Sequence, residues 1–214
     1  MRQLAPHMQP DNTSHRPDPM PPLSRKELRQ TLRRSRRALQ GPERAWREAA
    51  ILEALRRHPA FRRARKIALF WAADGEVDLR PLALLAHPRQ TLHLPILVRD
   101  SRLRFARWGI GQPMRLNRFR IPEPRHRVID LLPARELDLI LMPLVGFDDD
   151  GNRLGMGGGF YDRTLAFRHA RRRWRRPLLI GVAFGLQRCP ALPAEAWDVP
   201  LDGIVTEDGV RLFD

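Results

Sequence analysis

A stretch of the chain between residues 139 and 162 brings together residue types that bind phosphate groups and magnesium. An apolar run over 139–147 leads through an acidic turn to Arg153, and residues 155–159, the glycine loop, hold four glycines in five positions. Because glycine lacks a Cβ atom, its N–H group can approach an anion closely, and an arginine binds phosphate through two parallel hydrogen bonds. Asp162, just beyond the aromatic pair 160–161, offers an oxygen ligand for the magnesium that accompanies a nucleotide. The pattern predicts a nucleotide-phosphate site.

The glycine loop does not match the two most familiar phosphate-binding motifs. A Walker loop ends in Gly-Lys-Ser/Thr, and no lysine lies between Gly146 and Leu165. A Rossmann fingerprint needs a third glycine where Phe160 stands. The plain alternative is a tight turn that binds nothing, because glycine clusters are common in turns. Three consecutive glycines cost backbone entropy on folding, which favours the ligand-binding interpretation.

Predicted strands and helices alternate along the chain. Apolar runs predict strands over residues 67–72, 91–98, 137–147 and 178–184, an edge strand over 103–107 and a short last strand over 203–206. Helices are predicted over 79–86 and, after the glycine loop, over 161–174. The alternation indicates an α/β fold with a largely parallel sheet, in which ligands bind at the carboxyl ends of the strands. Glu76 and the glycine loop both follow strands in this way.

Two further helices are predicted ahead of the first strand. Ser24 and Glu27 form a capping box that starts the first helix. Its apolar stripe consists of Leu28, Leu32 and Leu39, and arginines cover the rest. The second helix begins at Gly41-Pro42 and ends at His58-Pro59. Its residues expected to face the core are Trp46, Ala49, Leu52 and Leu55.

Length and composition limit the class of protein. The chain has 214 residues, of which 43% are hydrophobic, enough for a single domain. We expect that domain over residues 23–214, behind a disordered proline-rich tail at 1–22. The sequence contains no apolar run of about 18 residues and no apolar segment typical of a signal peptide. A single cysteine, Cys189, excludes an internal disulfide. These features favour a cytoplasmic protein.

The net charge of +15 comes mainly from arginine, since Lys26 and Lys66 are the only lysines. A basic chain suggests nucleic-acid binding. The arginines are scattered, however, and the densest cluster, at residues 171–176, falls where a helix is expected to end. There it complements the helix dipole on a solvated face. A basic surface also attracts a small polyanionic substrate.

Other catalytic patterns are missing from the sequence. The seven histidines form no His-x-x-x-His pair, which argues against catalytic zinc, and no Gly-x-Ser-x-Gly motif supports acyl-serine chemistry. Taken alone, Glu76 is better interpreted as a solvated turn carboxylate, whereas Asp198 fits a turn or cap residue equally well. The residues by themselves favour a magnesium-nucleotide enzyme and leave its second substrate open.

The central motif resembles that of a known family. The stretch M-P-L-V-G-F-D-D-D-G-N-R-L-G-M-G-G-G-F-Y-D-R-T-L, residues 142–165, is similar to the signature of the 5-formyltetrahydrofolate cyclo-ligases, also called 5,10-methenyltetrahydrofolate synthetases, in their bacterial branch. The segments R-K-E-L-R, F-W-A-A-D-G-E-V-D, I-P-E-P, V-A-F-G-L-Q and W-D-V-P-L-D-G-I-V-T-E extend the resemblance from about Ser24 to Glu207. The resemblance implies a Rossmann-like three-layer α/β/α sandwich with a largely parallel sheet. It also implies ATP- and Mg²⁺-dependent closure of 5-formyltetrahydrofolate to 5,10-methenyltetrahydrofolate, with release of ADP and phosphate.

The same resemblance implies the residues of the site. The implied ATP-binding residues are Arg25, Lys26, Arg29, Arg153, Leu154, Gly155, Met156, Gly157, Gly158, Gly159, Phe160 and Tyr161. The implied folate-binding residues are Trp71, Glu76, Met156, Gly157, Gly158, Gly159 and Phe160. The implied magnesium ligands are Asp162 and Asp198. Within the N-terminal motif, either Arg25 or Lys26 contacts phosphate.

The chemistry of this reaction fits the residue types present. Attack of the formyl oxygen on the γ-phosphorus gives a phosphorylated imidate, and the neighbouring N10 amine then displaces phosphate. The protein therefore positions groups and neutralises charge rather than supplying a nucleophile. The expected partners are ATP and 5-formyltetrahydrofolate, with or without a polyglutamate tail, and neither a membrane nor a specific nucleic acid. The rival interpretations are a nucleic-acid-binding module and another ATP-dependent kinase or ligase that binds no folate.

Overall fold

The computed structural model of the chain describes residues 24–169 and 176–213. The expected tail at 1–22 and most of the arginine cluster, residues 171–175, lie outside them. The α-helices are α1 (Arg25–Ala38), α2 (Gly41–Arg57), α3 (Pro59–Arg63), α4 (Leu82–Leu85) and α5 (Phe160–Leu165). The strands are β1 (Lys66–Ala68), β2 (Thr91–Leu97), β3 (Leu103–Trp108), β4 (Met114–Leu116), β5 (Pro122–Pro124), β6 (Leu139–Pro143), β7 (Gly146–Phe147), β8 (Arg153–Leu154), β9 (Leu178–Val182), β10 (Gly203–Thr206) and β11 (Gly209–Leu212). Short 3-10 turns cover Val128–Asp130, Ala134–Glu136, Ala166–Arg168 and Gly185–Gln187.

One large sheet organises the described part of the chain. Its strand order is β11-β10-β9-β6-β1-β2-β3. The inner strands β10, β9, β6, β1 and β2 run parallel, whereas β11 and β3 pair antiparallel at the two edges. Strands β4 and β5 form a separate hairpin, as do β7 and β8. The predicted α/β fold with a largely parallel sheet is confirmed.

Helices cover both faces of the sheet, which makes the fold a three-layer sandwich. Along β6, Leu139 and Leu141 join one buried cluster, while Ile140 and Met142 join another on the opposite face. This alternation follows from the two-residue period of a strand. The first cluster is closed by α2, α3 and α4, and the second by α5. A strand buried on both faces is apolar at every position, which explains the continuous apolar run.

The N-terminal helices follow their predicted start signals but not all of their predicted faces. The capping box at Ser24 is confirmed. In α2, Ile51 and Leu55 are buried as core residues, but Trp46 is 61% exposed and Ala49 is exposed as well, so their predicted inward orientation is wrong. The helix instead turns Arg47 toward the protein, where it pairs with the buried carboxylate of Glu207. The apolar pattern of the helix gives no indication of this long-range ion pair on its inward side.

The predicted strand over 137–147 is two elements rather than one. β6 ends at Pro143, and the chain leaves the sheet before β7 begins the hairpin with β8. The break occurs because the Leu144 carbonyl accepts hydrogen bonds from two buried side chains, Arg36 and Gln187, instead of from a neighbouring strand. The predicted strand at 67–72 and helix at 79–86 are likewise shorter, as β1 and α4.

The helix predicted over 161–174 is also shorter than expected. α5 ends at Leu165 and continues as the 3-10 turn at Ala166–Arg168, and residues 170–175 lie outside the described part of the chain. Inside α5 the Thr164 hydroxyl donates to the Phe160 carbonyl, which competes with the regular backbone pattern. None of the helices in residues 24–169 and 176–213 combines the length and apolar character needed to cross a membrane.

A substitution at Gly181 can test the packing at the centre of the sheet. A Cβ atom at this position would lie 2.7 to 2.8 Å from side-chain atoms of Leu144, Leu201 and Ile204. We expect Gly181→Ala to lower the free energy of unfolding by about 1–3 kcal/mol, because overpacking a core forces neighbouring side chains out of place. Urea unfolding of both proteins measures the difference.

Gly109→Ala is the matched control. A Cβ atom at Gly109 would have no atom within 4 Å, and its φ is not positive. Its free energy of unfolding should stay within about 1 kcal/mol of the parent value, on the stabilising side. Equal losses in the two variants would contradict the packing argument.

Candidate active site

The glycine loop joins β8 to α5 and is exposed at residues 156–158. Gly157 and Gly159 have positive φ angles of 96° and 62°, which strain residues that carry a Cβ atom. Gly158 has no positive φ angle, but a Cβ atom at this position would lie 2.5 Å from the ring of Phe160. Backbone conformation therefore favours glycine at two positions, and at the third a larger residue would have to displace the Phe160 side chain.

Two arginine–aspartate pairs lie beside the loop. Arg153 pairs with Asp162, and Arg25 pairs with Asp198 at 2.9 Å. The Val199 N–H group donates to the Asp162 carboxylate at 3.3 Å, which brings the segment carrying Asp198 against Asp162. The fold thus assembles residues from α1, β8, α5 and the segment before β10 at the carboxyl end of the sheet.

The basic residues of α1 differ in their positions. Arg29 donates from Nε to the Gly155 carbonyl at 2.8 Å, so its guanidinium lies against the glycine loop. Arg25 also donates to the Pro193 carbonyl at 2.8 Å, next to its aspartate partner. Lys26 is exposed. Of the two candidates in the N-terminal motif, the structure thus brings Arg25 to the aspartates of the loop region.

Opposing effects set the charge of Asp198. Burial raises the pKa of its carboxyl group, but hydrogen bonds from Arg25 and from the Glu195 N–H group, together with the charge of Arg153, outweigh burial and lower the pKa below its ordinary value. The carboxylate is therefore ionised at neutral pH. An ionised carboxylate is the form that binds a metal ion.

Asp162 and Asp198 have the donor chemistry that magnesium prefers. Within residues 24–169 and 176–213, no three His, Cys, Asp or Glu side chains converge as a complete metal site. Magnesium in nucleotide sites commonly takes one or two carboxylates and completes its shell with waters and phosphate oxygens. Two aspartates beside a phosphate-binding loop therefore fit a magnesium ion that arrives together with a nucleotide.

Trp71 and Glu76 line a cavity of about 380 Å³ that lies between α2 and the segment after β1. The other residues that line it are Arg44, Glu48, Ala72, Ala73, Asp74, Gly75, Asp78 and Arg80. The Trp71 ring has Arg80 over it, 5.1 Å from the centroid, and meets Trp108 edge to face. The glycine loop is not among the lining residues. The structure brings Trp71 and Glu76 together and places Met156 and Phe160 outside this cavity.

Glu76 forms hydrogen bonds within its own turn, and its side chain is 12% exposed. Its Oε2 accepts the Ala73 N–H group at 3.1 Å, and its own N–H group donates to the Ala73 carbonyl at 2.9 Å. Burial raises the pKa of Glu76 to about 7, although the Ala73 N–H group and the charge of Arg36 act to lower it. The carboxyl group is thus partly ionised at neutral pH.

Tyr161, two residues beyond the glycine loop, is close enough to Glu76 to be affected by its charge. It stands in the first turn of α5, next to Asp162 in sequence, and its hydroxyl is buried without a hydrogen-bond partner among the described residues. Burial and the negative charge of Glu76 both raise the pKa of Tyr161. A buried hydroxyl without a partner costs about 1–3 kcal/mol, so a ligand atom that meets it gains a hydrogen bond.

The hairpin of β4 and β5 supplies an aromatic residue that sequence analysis missed. Phe119, in the turn between the two strands, is 52% exposed and meets the Phe160 ring edge to face, with ring centroids 5.7 Å apart. The Arg163 guanidinium lies over the Phe160 ring, 5.4 Å from its centroid. In the sequence, the pattern that could have indicated Phe119 is an aromatic residue between two arginines in a polar turn.

Comparisons with known proteins indicate the family of the chain. A family model described as the 5-formyltetrahydrofolate cyclo-ligase family matches residues 22–207. A protein of Haemophilus influenzae named 5-formyltetrahydrofolate cyclo-ligase is 42% identical over 149 residues, which cover 67% of this chain and 76% of that protein. The protein of the same name from Escherichia coli is 39% identical over 158 residues, covering 72% and 84%. An NMR structure of Aquifex aeolicus 5,10-methenyltetrahydrofolate synthetase has a TM-score of 0.75 and 34% identity, and covers 88% of this chain and 92% of its own.

The raised pKa of Glu76 predicts a pH-dependent stability. Between its ordinary value of 4.5 and about 7, the carboxyl group ionises in the unfolded chain but stays protonated in the folded one. The folded state binds more protons, so stability relative to Glu76→Gln should fall as the pH rises through this window, by roughly 2–3 kcal/mol. Urea unfolding of both proteins from pH 5 to pH 8 measures the difference.

Glu53→Gln is the control variant for this pH dependence. Hydrogen bonding from Arg56, supported by Arg57 and opposed by desolvation, lowers the pKa of Glu53 to about 2. Its carboxyl is ionised in both states above pH 5, so the difference between parent and Glu53→Gln should stay flat there. A flat difference for Glu76→Gln as well would show that Glu76 titrates normally.

Proposed function

The chain belongs to the 5-formyltetrahydrofolate cyclo-ligase family, and we propose that it closes 5-formyltetrahydrofolate to 5,10-methenyltetrahydrofolate, using ATP and magnesium and releasing ADP and phosphate. One observation carries this proposal. The stretch that resembles the family signature folds as an exposed glycine loop flanked by Arg153 and Asp162, and the fold brings Arg25, Arg29 and Asp198 against it.

The ion pairs around the loop suit a nucleotide that arrives with magnesium. In the proposed complex, Asp162 and Asp198 hold the metal, while Arg153 and Arg25, released from these carboxylates, donate to phosphate oxygens. Each charged group exchanges one partner of opposite sign for another. Binding therefore leaves no buried charge without a partner, which would be costly. The metal, when bound, neutralises phosphate charge.

The folate ring is placed on the other side of Tyr161. Glu76 accepts hydrogen bonds from the N–H edge of the pterin, and Trp71 offers a flat aromatic surface to its ring. On the loop side, Phe160 and its neighbour Phe119 form an aromatic wall. The cavity lined by Trp71 and Glu76 is called the ring cavity below. The formyl group then lies between the ring cavity and the glycine loop, where it can meet the γ-phosphate.

The reaction needs no protein nucleophile. The formyl oxygen attacks the γ-phosphorus as the bond to the ADP oxygen breaks, which gives a phosphorylated imidate. N10 then adds to the formyl carbon and loses its proton, and the carbon–oxygen bond breaks as phosphate leaves. The loop N–H groups, with Arg25, Arg29 and Arg153, hold the phosphate in line and balance its charge. The basic surface attracts the anionic glutamate tail of the folate.

An absorbance assay tests the proposed reaction. Purified protein mixed with ATP, magnesium and 5-formyltetrahydrofolate should produce the absorbance of the methenyl product. Omission of ATP, or chelation of magnesium with EDTA, should stop product formation, and restored magnesium should restart it. The rate should follow the protein concentration.

Two results would reject the proposal. Product formation without ATP would exclude the phosphorylated intermediate. Consumption of ATP with no folate product under any condition would point to another kinase or ligase that uses the same loop.

The glycine loop gives a second test. Gly158→Val adds bulk next to the Phe160 ring, where the loop is exposed and the phosphates are placed. We expect ATP affinity to fall at least about tenfold, since backbone approach to phosphate is blocked, while the protein still unfolds cooperatively with a midpoint within about 5 °C. Calorimetric titration with MgATP and a thermal melt are made on the same sample.

Gly109→Val is the control, because it introduces the same side chain at a glycine with open space around it. Its ATP affinity should match that of the parent. If Gly158→Val keeps full ATP affinity and only melts earlier, the loop is a structural turn and the placement of the phosphates is wrong.

A further inference from the structure

Arg36 is a charged residue of α1 that is almost completely buried, with 1% of its side chain exposed. Its guanidinium donates from Nε to the Asp74 carbonyl at 3.0 Å, from Nη2 to the Asp74 carboxylate at 2.9 Å and from Nη1 to the Leu144 carbonyl at 2.9 Å. A buried guanidinium is costly unless its donors are satisfied. This one bridges α1, the turn after β1 and the end of β6.

The turn that Arg36 holds is the one that carries Glu76. Its central residues Asp74 and Gly75 have positive φ angles of 52° and 79°, as in a type I′ turn. A positive φ is uncommon for aspartate and persists when surrounding contacts fix it. Here the Asp74 carboxylate also accepts hydrogen bonds from Arg33 and Arg37.

Arg36 also lies next to the Glu76 carboxyl group. Its Nη1 is 4.0 Å from Glu76 Oε1, the oxygen that does not bond to the Ala73 N–H group. The other polar groups near Glu76 are the ionised Asp74 in the turn, the Tyr161 hydroxyl from α5, and Arg44 from α2, which donates to the Glu76 carbonyl. Arg36 therefore supplies positive charge beside a carboxyl group that burial and Asp74 both keep from ionising.

We propose that Arg36 is a positioning residue for the folate substrate: it fixes the turn at residues 73–76 and keeps the Glu76 carboxylate oriented and charged toward the ring cavity. Arg36 is not among the residues that line the cavity, so it acts through Glu76. This inference rests on the proposed function for the role of Glu76, but the effect of Arg36 on Glu76 is a property of the free protein.

Arg36→Gln removes the charge, and Arg37→Gln is its matched control. Arg37 bonds to the same Asp74 carboxylate, but its side chain is 57% exposed, and among the described residues it is Arg36 and not Arg37 that lies beside the Glu76 carboxyl group. The first readout is the NMR titration of ¹³C-labelled glutamate carboxyls in the ligand-free protein, with the Glu76 signal assigned by its loss in Glu76→Gln. We expect the Glu76 midpoint to rise by about one pH unit or more in Arg36→Gln and to stay within about 0.3 in Arg37→Gln.

The second readout is steady-state kinetics. In Arg36→Gln the KM for 5-formyltetrahydrofolate at pH 7 should rise about tenfold, and should recover toward the parent value at higher pH as Glu76 ionises. The KM for ATP should change less than about twofold, because the contacts of the glycine loop are untouched. A merely structural role would raise both KM values together and would leave no pH-dependent recovery.

Arg36→Lys covers the case in which Arg36→Gln does not fold. Lysine keeps the charge but cannot bond to Asp74 and Leu144 together, so the Glu76 midpoint should hold while the folate KM still rises. An unchanged Glu76 midpoint in Arg36→Gln, or an unchanged folate KM in Arg36→Lys, would overturn the proposal. If the parent protein makes no methenyl product, the proposed function fails, and the titration of the free protein still decides the effect of Arg36 on Glu76.

Discussion

The carbonyl of Leu144 is the point on which the carboxyl edge of the sheet depends. It accepts one hydrogen bond from Arg36 and another from Gln187, both almost fully buried. Gln187 follows β9, Leu144 follows β6, and Arg36 bonds to the turn after β1, so two side chains tie three strand ends together. Removal of either donor would take one of the two hydrogen bonds from this buried carbonyl, at a cost of about 0.5–1.5 kcal/mol. The turn after β1 is therefore held to the ends of β6 and β9 by buried polar contacts.

The acidic turn ahead of Arg153 has a structural role in the same arrangement. Asp148 is buried, and its carboxylate accepts the N–H groups of Asp150, Asn152 and Leu192. These bonds hold the hairpin of β7 and β8 closed and attach it to the segment that leads toward the end of the chain. Arg153 stands on the second strand of that hairpin, so its position beside the glycine loop follows from Asp148. Within the acidic run of the motif, Asp148 thus holds the backbone, while Asp149 pairs with the side chains of Arg188 and Arg211.

Much of the fold was predictable because it depends on local patterns. The capping box at Ser24, the buried strands and the parallel direction of the inner strands follow from spacing and apolar periodicity. The early end of β6 and the exposure of Trp46 were not predictable, because each depends on a partner distant in sequence: Arg36 and Gln187 in the first case, the buried Glu207 in the second. For the site, spacing indicated the residues around the glycine loop, and the resemblance supplied Asp198 and Arg25. The link through Tyr161 depends on tertiary packing and had no signal in the sequence.

The proposed reaction requires that two half-sites keep a fixed separation, since the formyl oxygen must lie in line with the γ-phosphate. In the proposed complex, one turn of α5 lies between the two half-sites. Asp162 pairs with Arg153 on the proposed phosphate side, and the neighbouring Tyr161 is affected by the charge of Glu76 on the proposed ring side. Because adjacent residues of a helix keep a fixed spacing, α5 holds Tyr161 and Asp162 at a constant distance from each other. Arg36 fixes the opposite side of the ring cavity through the turn at residues 73–76. In the proposed complex, the distance between ring and phosphate therefore depends on the contacts that α1 makes with the glycine loop and with the turn at residues 73–76.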